Sequence, residues 1–243
     1  MKPLPFISII TVVFNAADTL EQTIQSVLSQ SYPSKEYIII DGGSTDGSLE
    51  IIKKYAHQLA WWKSEPDNGL YTAMNKGLEQ TKGDLIGILN ADDWYEPEIF
   101  SVIASHYQKV GDDYVIHGIM RNFLNEEFYS ITGNSIRRLR YEMIQHPTCF
   151  IPKKKYLSFG NYLEDYKFSA DYDLILRYVK SGVLFSFIEV IITNFRLGGL
   201  SSIPAAEKEM YKVRMNHRII SKSEGYLRIM MVSINTILKK FLK

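Results

Sequence analysis

Over the first 110 residues, short β-branched apolar runs alternate with stripes of helical period, and this alternation restricts the fold more than any other feature. Residues 6–13 are apolar at nearly every position, with Ile7, Ile9, Ile10, Val12 and Val13 among them. That is too apolar for a strand with one wet face, so it belongs inside a sheet covered on both sides. The same run, behind Lys2, has the length of a signal-peptide core. Its β-branched content, its polar Ser8 and Thr11 and the helix start just after it read instead as a strand. Asp18 and Glu21 have capping-box spacing, and Leu20, Ile24, Val27 and Leu28 form one stripe behind them. Residues 37–40, 60–63 and 85–89 read as further strands. Residues 46–57, 70–81 and 96–109 read as helices, the last with Pro97 in its first turn. Such an order predicts an α/β fold with a mostly parallel central sheet flanked by helices.

The second half is less regular. Residues 114–119, 127–131 and 148–151 read as strands, and 171–180 as a helix ended by Gly182. An apolar strand pair is expected within 183–195, then helix from Pro204 onward, broken near Gly225. The expected organisation is one domain over 1–204, in two halves that divide at about residue 110. A helical tail over 205–243 follows. With 243 residues, 46% of them hydrophobic, the chain buries a core without covalent staples. Its single cysteine, Cys149, excludes an internal disulfide and a multi-cysteine metal site, and suits a reducing compartment. The formal net charge of +1 gives no reason to expect a nucleic-acid partner. That balance conceals an asymmetry, because the last 39 residues hold nine bases and three acids and the remainder is acidic. No apolar stretch approaches the ~20 residues of a spanning helix.

In an open parallel sheet, ligands bind beyond the carboxyl ends of the strands. Here those ends carry Asn15, the run Asp41-Gly42-Gly43-Ser44-Thr45-Asp46-Gly47, and Asn90-Ala91-Asp92-Asp93. Each alone also fits a turn or a helix cap. Four acids on adjacent strand ends repel one another, and a shared cation would relieve that repulsion. The first strand lacks the glycine fingerprint of a dinucleotide site, since Phe14-Asn15-Ala16-Ala17-Asp18 follows it, and no Walker-type loop is present. Oxygen-rich Asp92 and Asp93 suit Mg²⁺ or Mn²⁺, through which phosphates could be held.

The motifs Ser8-Ile9-Ile10-Thr11-Val12-Val13-Phe14-Asn15, Ile40-Asp41-Gly42-Gly43-Ser44-Thr45-Asp46-Gly47-Ser48 and Leu89-Asn90-Ala91-Asp92-Asp93 together resemble the family 2 glycosyltransferases over about residues 5–200. The resemblance implies a GT-A type nucleotide-sugar transferase, in which the half to about residue 110 would bind the nucleotide-sugar and the half from about 111 to 204 would carry the acceptor and the base. Thr11 and Asn15 would line the nucleotide pocket, and Asp41, with Ser44 beside it, would hydrogen-bond the base. Asp67-Asn68-Gly69 and Met74-Asn75-Lys76-Gly77 look like the segment along the donor, which places Asp67, Asn75 and Lys76 there. Asp92 matches the metal-binding acid of the Asp-x-Asp motif, with Asp93 as a second contact. Asn90 stands at its first position, where an amide still accepts from a ribose hydroxyl, and Ala91 lies between. In Ser169-Ala170-Asp171-Tyr172-Asp173, Asp171 falls on the catalytic-base position, while Ala170 replaces the usual Glu and Asp173 reads as a first-turn helix acid. His146 resembles a family feature near donor or acceptor, with a structural histidine as the alternative. Arg196 and the Gly198-Gly199-Leu200-Ser201 segment would close over the diphosphate; an ordinary glycine turn is the alternative.

The resemblance further implies an inverting, metal-dependent transfer of one sugar from a nucleotide-diphosphate sugar, UDP ahead of GDP, to a glycan or lipid-linked glycan. The Gln-x-x-Arg-Trp segment of processive members is absent, since none of Trp61, Trp62 and Trp94 follows an arginine. In the tail, Leu227, Met230, Met231, Ile234, Ile237, Leu238 and Phe241 share one helical face, opposite Arg228, Asn235, Thr236, Lys239, Lys240 and Lys243. A basic amphipathic helix over 225–243 can lie on a membrane, which would put the protein in the cytoplasm at the inner membrane face. Packing on the body or on a second subunit is the alternative. Two other functions compete. A nucleotidyltransferase would want a glycine-rich basic loop after the first strand, which residues 15–20 lack. A non-catalytic nucleotide-sugar-binding module is suggested by Asn90 and Ala170, and opposed by Asp92 and Asp171.

Overall fold

The computed structural model describes residues 4–139 and 142–241, with side chains in the last helix as far as residue 239. Strands β1 (Ile7–Val13), β2 (Lys35–Asp41), β3 (Trp61–Ser64) and β4 (Leu85–Asn90) run parallel in the order β3-β2-β1-β4. Helices α1 (Ala17–Leu28), α2 (Ser48–Tyr55) and α3 (Leu70–Gln80) make the crossovers between them. All seven residues of β1 are buried because successive side chains enter different cores. Ile10 and Val12 join one apolar cluster with residues of α3, whereas Ile7, Ile9 and Val13 join another with residues of α1. This is the physical reason for a continuous rather than alternating apolar run.

The sheet does not end at β4. Strand β8 (Phe150–Pro152) adds antiparallel to β4, then come β6 (Tyr114–Leu124), β9 (Leu184–Arg196) and the two-residue β5 (Trp94–Tyr95). Strand β7 (Glu127–Thr132) pairs antiparallel with the far half of β6. Both halves of the chain therefore share one nine-stranded mixed sheet. Helices α4 (Ile99–Val110), α5 (Lys153–Phe159) and α6 (Ala170–Lys180) accompany it, and α7 (Pro204–Asn216) and α8 (Lys222–Phe241) complete the chain.

Several local expectations are corrected. Asp18 and Glu21 form no capping box: the α1 cap position, Ala16, makes no side-chain hydrogen bond, and Glu21 pairs with Lys54 and Tyr55 on α2. The amide of Ala17 is satisfied instead by Asp46 Oδ2 at 2.9 Å, from the β2–α2 loop. Helix α4 starts at Ile99, after Pro97, because the chain first forms β5 and then bends through Glu98 at φ 58°. The span 183–195 falls in one strand, the 13-residue β9, rather than a pair, since β6 pairs with it at both ends across register shifts. The break in the last helices falls at 217–221, with Arg218 at φ 57°, and not at Gly225. Gly225 lies inside α8, where an added Cβ would stand 2.3 Å from Met215 Sδ, so it permits close approach to α7. Gly77 does the same for α3 on β1, with an added Cβ 2.5 Å from Ile10 Cγ2. Although alanine is the better helix former, Gly77→Ala is expected to lower stability by about 1–3 kcal/mol through overpacking. Urea unfolding of the variant checks this, and an unchanged midpoint would count against that packing.

Candidate active site

Register brings the polar strand ends together. Val13 pairs with Asp41 and Val12 with Asn90, so β1, β2 and β4 finish at one edge. There the β1 and β2 loops are cross-bonded. Asn15, at φ 49°, donates its amide to Ser44 Oγ (2.8 Å) and accepts from the Thr45 amide at Oδ1 (2.9 Å). The Ala16 amide donates to Ser48 Oγ (2.9 Å). Hydrogen bonds from the Ala17 amide and then Ser48 hold the Asp46 carboxyl below its ordinary value. Asp41 is fully buried and accepts from Ser44 Oγ (2.5 Å), Ser64 Oγ (2.6 Å) and the Ser44 amide. Thr11 is also fully buried, its Oγ1 accepting from the Tyr37 hydroxyl at 2.9 Å. Thr11 and Asp41 thus stand beneath the loop surface, while Asn15 and Ser44 shape it. Asp67 bonds the Gly69 amide (2.8 Å) ahead of α3 and lies against Gly42, where an added Cβ would meet its Oδ2 at 3.0 Å.

The β4 turn is pinned from α1: Thr19 and Thr23 each donate to the Ala91 carbonyl at 2.9 Å, and Thr23 to that of Asp93 at 2.7 Å. Asp93 is fully buried, and its Oδ1 accepts from the Arg196 amide at 3.1 Å. Burial first, and the Asp92 carboxylate second, hold Asp93 well above the usual carboxylate range. Asp92 is the one of the two that reaches the surface, and burial raises its pKa as well, with Arg196 opposing. Among the described residues, the buried Asn90 Oδ1 and Asp93 Oδ2 find no hydrogen-bond partner. Two orphaned oxygens beside a desolvated carboxylate make an environment in which a cation would be favoured. Among the described residues no three His, Cys, Asp or Glu side chains converge on a metal site. The residues therefore fit a hard cation held by Asp92 and by the donor's phosphate oxygens, the usual manner of Mg²⁺.

Arg196 reaches this turn because Trp94 pairs with Asn194 across β5 and β9. Its guanidinium stacks 4.5 Å from the Trp94 ring and donates to the Asp92 carbonyl, to Gln22 and to Glu126 (Nε to Oε1, 2.7 Å). Arg196 is thus already engaged by a carboxylate at the β6–β7 turn. Gly199 follows closely, and a Cβ added there would lie 3.5 Å from Asp92 Oδ2.

On the other side, α6 begins at Ala170 and presents Asp171, partly exposed. Its Oδ1 accepts from the Tyr71 hydroxyl at 2.9 Å and from the Tyr172 amide at 2.8 Å; among the described residues Oδ2 accepts from none. Burial, then the Asp171 charge, keeps the Tyr71 hydroxyl well above its ordinary pKa, so it stays a donor. His146 is buried, with Nε2 2.7 Å from the Tyr162 hydroxyl; burial lowers its pKa against the pull of Asp171 and leaves it neutral. Asp173 is saturated by Arg177 and His217, each at 2.7 Å, and serves the fold. Asn75 is spent on the 162–164 segment, bonding Tyr162 and Glu164, and Lys76 pairs with Glu65 at 2.9 Å. The structure therefore groups Asn15, Ser44, Asn90, Ala91, Asp92 and Arg196 at the strand ends, and Asp171 with His146 through the tyrosines. Tyr71, Tyr162, Ser64 and Glu126 escaped the sequence reading. Tyr71 alone had a signal, lying two residues beyond Gly69 in the Asp67-Asn68-Gly69 segment.

Comparison with known proteins identifies the family and the fold. The model of the family described as glycosyl transferase family 2 matches residues 8–161, a span holding Asp92 and ending before Asp171. An uncharacterized glycosyltransferase of Haemophilus influenzae is 31% identical over 194 residues, 75% of this chain and 76% of its own length. A PGL/p-HBAD biosynthesis glycosyltransferase of Mycobacterium bovis is 27% identical over 224 residues, 88% of this chain and 86% of its own. The crystal structure of S. aureus TarS 1-349 in complex with UDP-GlcNAc superposes with a TM-score of 0.71 over 92% of this chain and 70% of that one; at 17% identity it shares the fold. The chain belongs to glycosyl transferase family 2 and is a glycosyltransferase of GT-A fold.

Proposed function

We propose that this enzyme moves one sugar from a nucleoside-diphosphate sugar to an acceptor hydroxyl with inversion, in the assembly of a surface polysaccharide or glycolipid. The observation that carries the reading is Asp171, whose Oδ1 is occupied by Tyr71 and the backbone while Oδ2 is left to take a proton. As the acceptor oxygen attacks the anomeric carbon, Asp171 Oδ2 accepts its proton, and the bond to the diphosphate breaks on the opposite face. Tyr71 holds the carboxylate in place throughout. A divalent cation, Mg²⁺ or Mn²⁺, bound at Asp92 with the donor would offset charge on the leaving diphosphate. Residues 1–204 form the transferase unit in this reading. The UDP-GlcNAc bound by the TarS neighbour favours a uridine donor over a guanosine one, and the biosynthetic name of the M. bovis relative favours a glycolipid acceptor.

No helix among the described residues is long and apolar enough to cross a membrane. Leu227, Met230, Ile234, Ile237 and Leu238 on α8 are each about half exposed, however, which supports attachment of 225–243 to the inner membrane face. Lys243 lies outside the described residues, as do the side chains of Lys240 and Phe241.

Thermal unfolding with UDP, GDP, CMP, ADP and dTDP, each with and without Mn²⁺, tests the donor. A ligand at about 100 times its Kd adds roughly 2.7 kcal/mol, a shift of about 5–10 °C for a chain of this size. One nucleotide should act, and only with the metal. No shift with any of the five would overturn the nucleotide-donor reading.

A further inference from the structure

Helix α8 is mounted the wrong way round for simple packing on its own body. Gly225 and Val232 are buried on the side of α8 that meets α7; Arg228, Asn235 and Lys239, all exposed, recur at helical spacing along its flank, whereas Leu227, Met230, Ile234 and Ile237 point outward. An amphipathic helix that merely docks buries its apolar face. Here the polar face borders a groove of about 710 Å³, whose other wall is Ser202, Pro204, Glu207 and Tyr211. The groove is open and elongated, since Arg228 and Lys239 stand about 16 Å apart at the ~1.5 Å rise of a helix. Its Ser202 end joins through Ser201 and Leu200 to Gly199, the residue beside Asp92 Oδ2.

The chemistry of the lining is specific. Arg228 and Lys239 form no ion pair with any described residue and outnumber the single carboxylate, Glu207, so the groove attracts an anion. Met231, Val232 and the Tyr211 ring supply an apolar floor, and Glu207, Asn235, Thr236 and the Tyr211 hydroxyl supply partners for sugar hydroxyls. Anion, alkyl and hydroxyl recognition in one groove, under a helix whose outer face suits a bilayer, describes one class of ligand. We infer that the α7–α8 groove holds the headgroup of a lipid carrying a phosphate, the acceptor, while the outer face of α8 lies among the acyl chains. This rests on the transferase reading above and adds to it the site and charge of the acceptor.

The test uses the full chain and vesicles of phosphatidylcholine, alone or with added phosphatidic acid. The parent should bind the phosphatidic acid vesicles at least tenfold more tightly. R228Q/K239Q should lose about twentyfold of that affinity and keep the binding to neutral vesicles. K212Q/K222Q removes the same charge outside the groove and should lose under threefold. L227N/I234N should release the protein from both vesicles. Equal losses for the two charge variants, or no vesicle binding by the parent, would overturn the inference. Effective competition by millimolar inorganic phosphate would mean a free-anion site and overturn it too. A parent that is a dimer, turned monomeric by L227N/I234N, would make the outer face a subunit contact and do the same. The nucleotide-induced melting shift of R228Q/K239Q should match the parent's. A parent that does not discriminate between the vesicles but keeps its nucleotide shift sinks the groove alone, whereas absence of the shift in the parent sinks the donor reading and leaves the vesicle result standing.

Discussion

Asp171→Asn is expected to lower the rate of sugar transfer by about 10²–10⁴, while the melting shift induced by the donor nucleotide stays within error of the parent's. The asparagine keeps an oxygen where Oδ1 accepts from Tyr71 and from the Tyr172 amide, so the start of α6 has no reason to move. What it loses is the capacity of Oδ2 to hold a proton. Transfer kinetics with the nucleotide-sugar chosen by the thermal panel, read beside nucleotide binding, separate the outcomes. Transfer at the parent's rate would remove Asp171 as the base. Joint loss of transfer and nucleotide binding would give it a structural role instead.

Asp92→Ala should abolish the metal-dependent part of the nucleotide shift and slow transfer at least ~100-fold, the scale of several kcal/mol for a lost metal contact at a leaving group. Its effect on the unliganded enzyme should be opposite in kind. Burial raises the pKa of Asp92 and, more strongly, of Asp93, so ionisation at this turn opposes folding. Removing the Asp92 charge should leave the melting temperature level or higher, as at sites where function is kept at the expense of stability. The pH dependence has the matching sign. A carboxyl whose folded pKa is raised contributes stability below its unfolded pKa, and that contribution is lost as pH rises through the folded value. Metal-assisted binding runs the other way, falling on acidification at a higher pH than an ordinary aspartate would require. A marked drop in the melting temperature of Asp92→Ala without ligand would show that the carboxylate serves the fold.

Periodicity made the first 110 residues legible because each signal there is local. A strand buried on both faces is apolar at nearly every position, as residues 6–13 are, and a crossover helix must show one stripe, as Leu20, Ile24 and Val27 do. The polar strand ends were legible for the same reason, since a parallel sheet can offer a ligand only its carboxyl edge. Signals that depend on partners misled. Asp18 and Glu21 had the spacing of a cap, yet Asp46, 28 residues beyond Asp18, is what satisfies the start of α1. Gly225 had the composition of a break and proved to be a contact with Met215.

Sequence by itself determined the fold class, the glycosyltransferase family and the short set of polar residues at the strand ends, because periodicity and motif spacing are properties of neighbouring residues. Tertiary structure decided which of those residues reach the surface and which lie under it: Asp92 above Asp93, Asn15 and Ser44 above Thr11 and Asp41. It also decided that Tyr71, 100 residues from Asp171, fixes one oxygen of that carboxylate, and that α8 leaves its apolar stripe exposed. Those outcomes depend on burial and on hydrogen bonds between distant segments, which exist only once the sheet has brought the segments together.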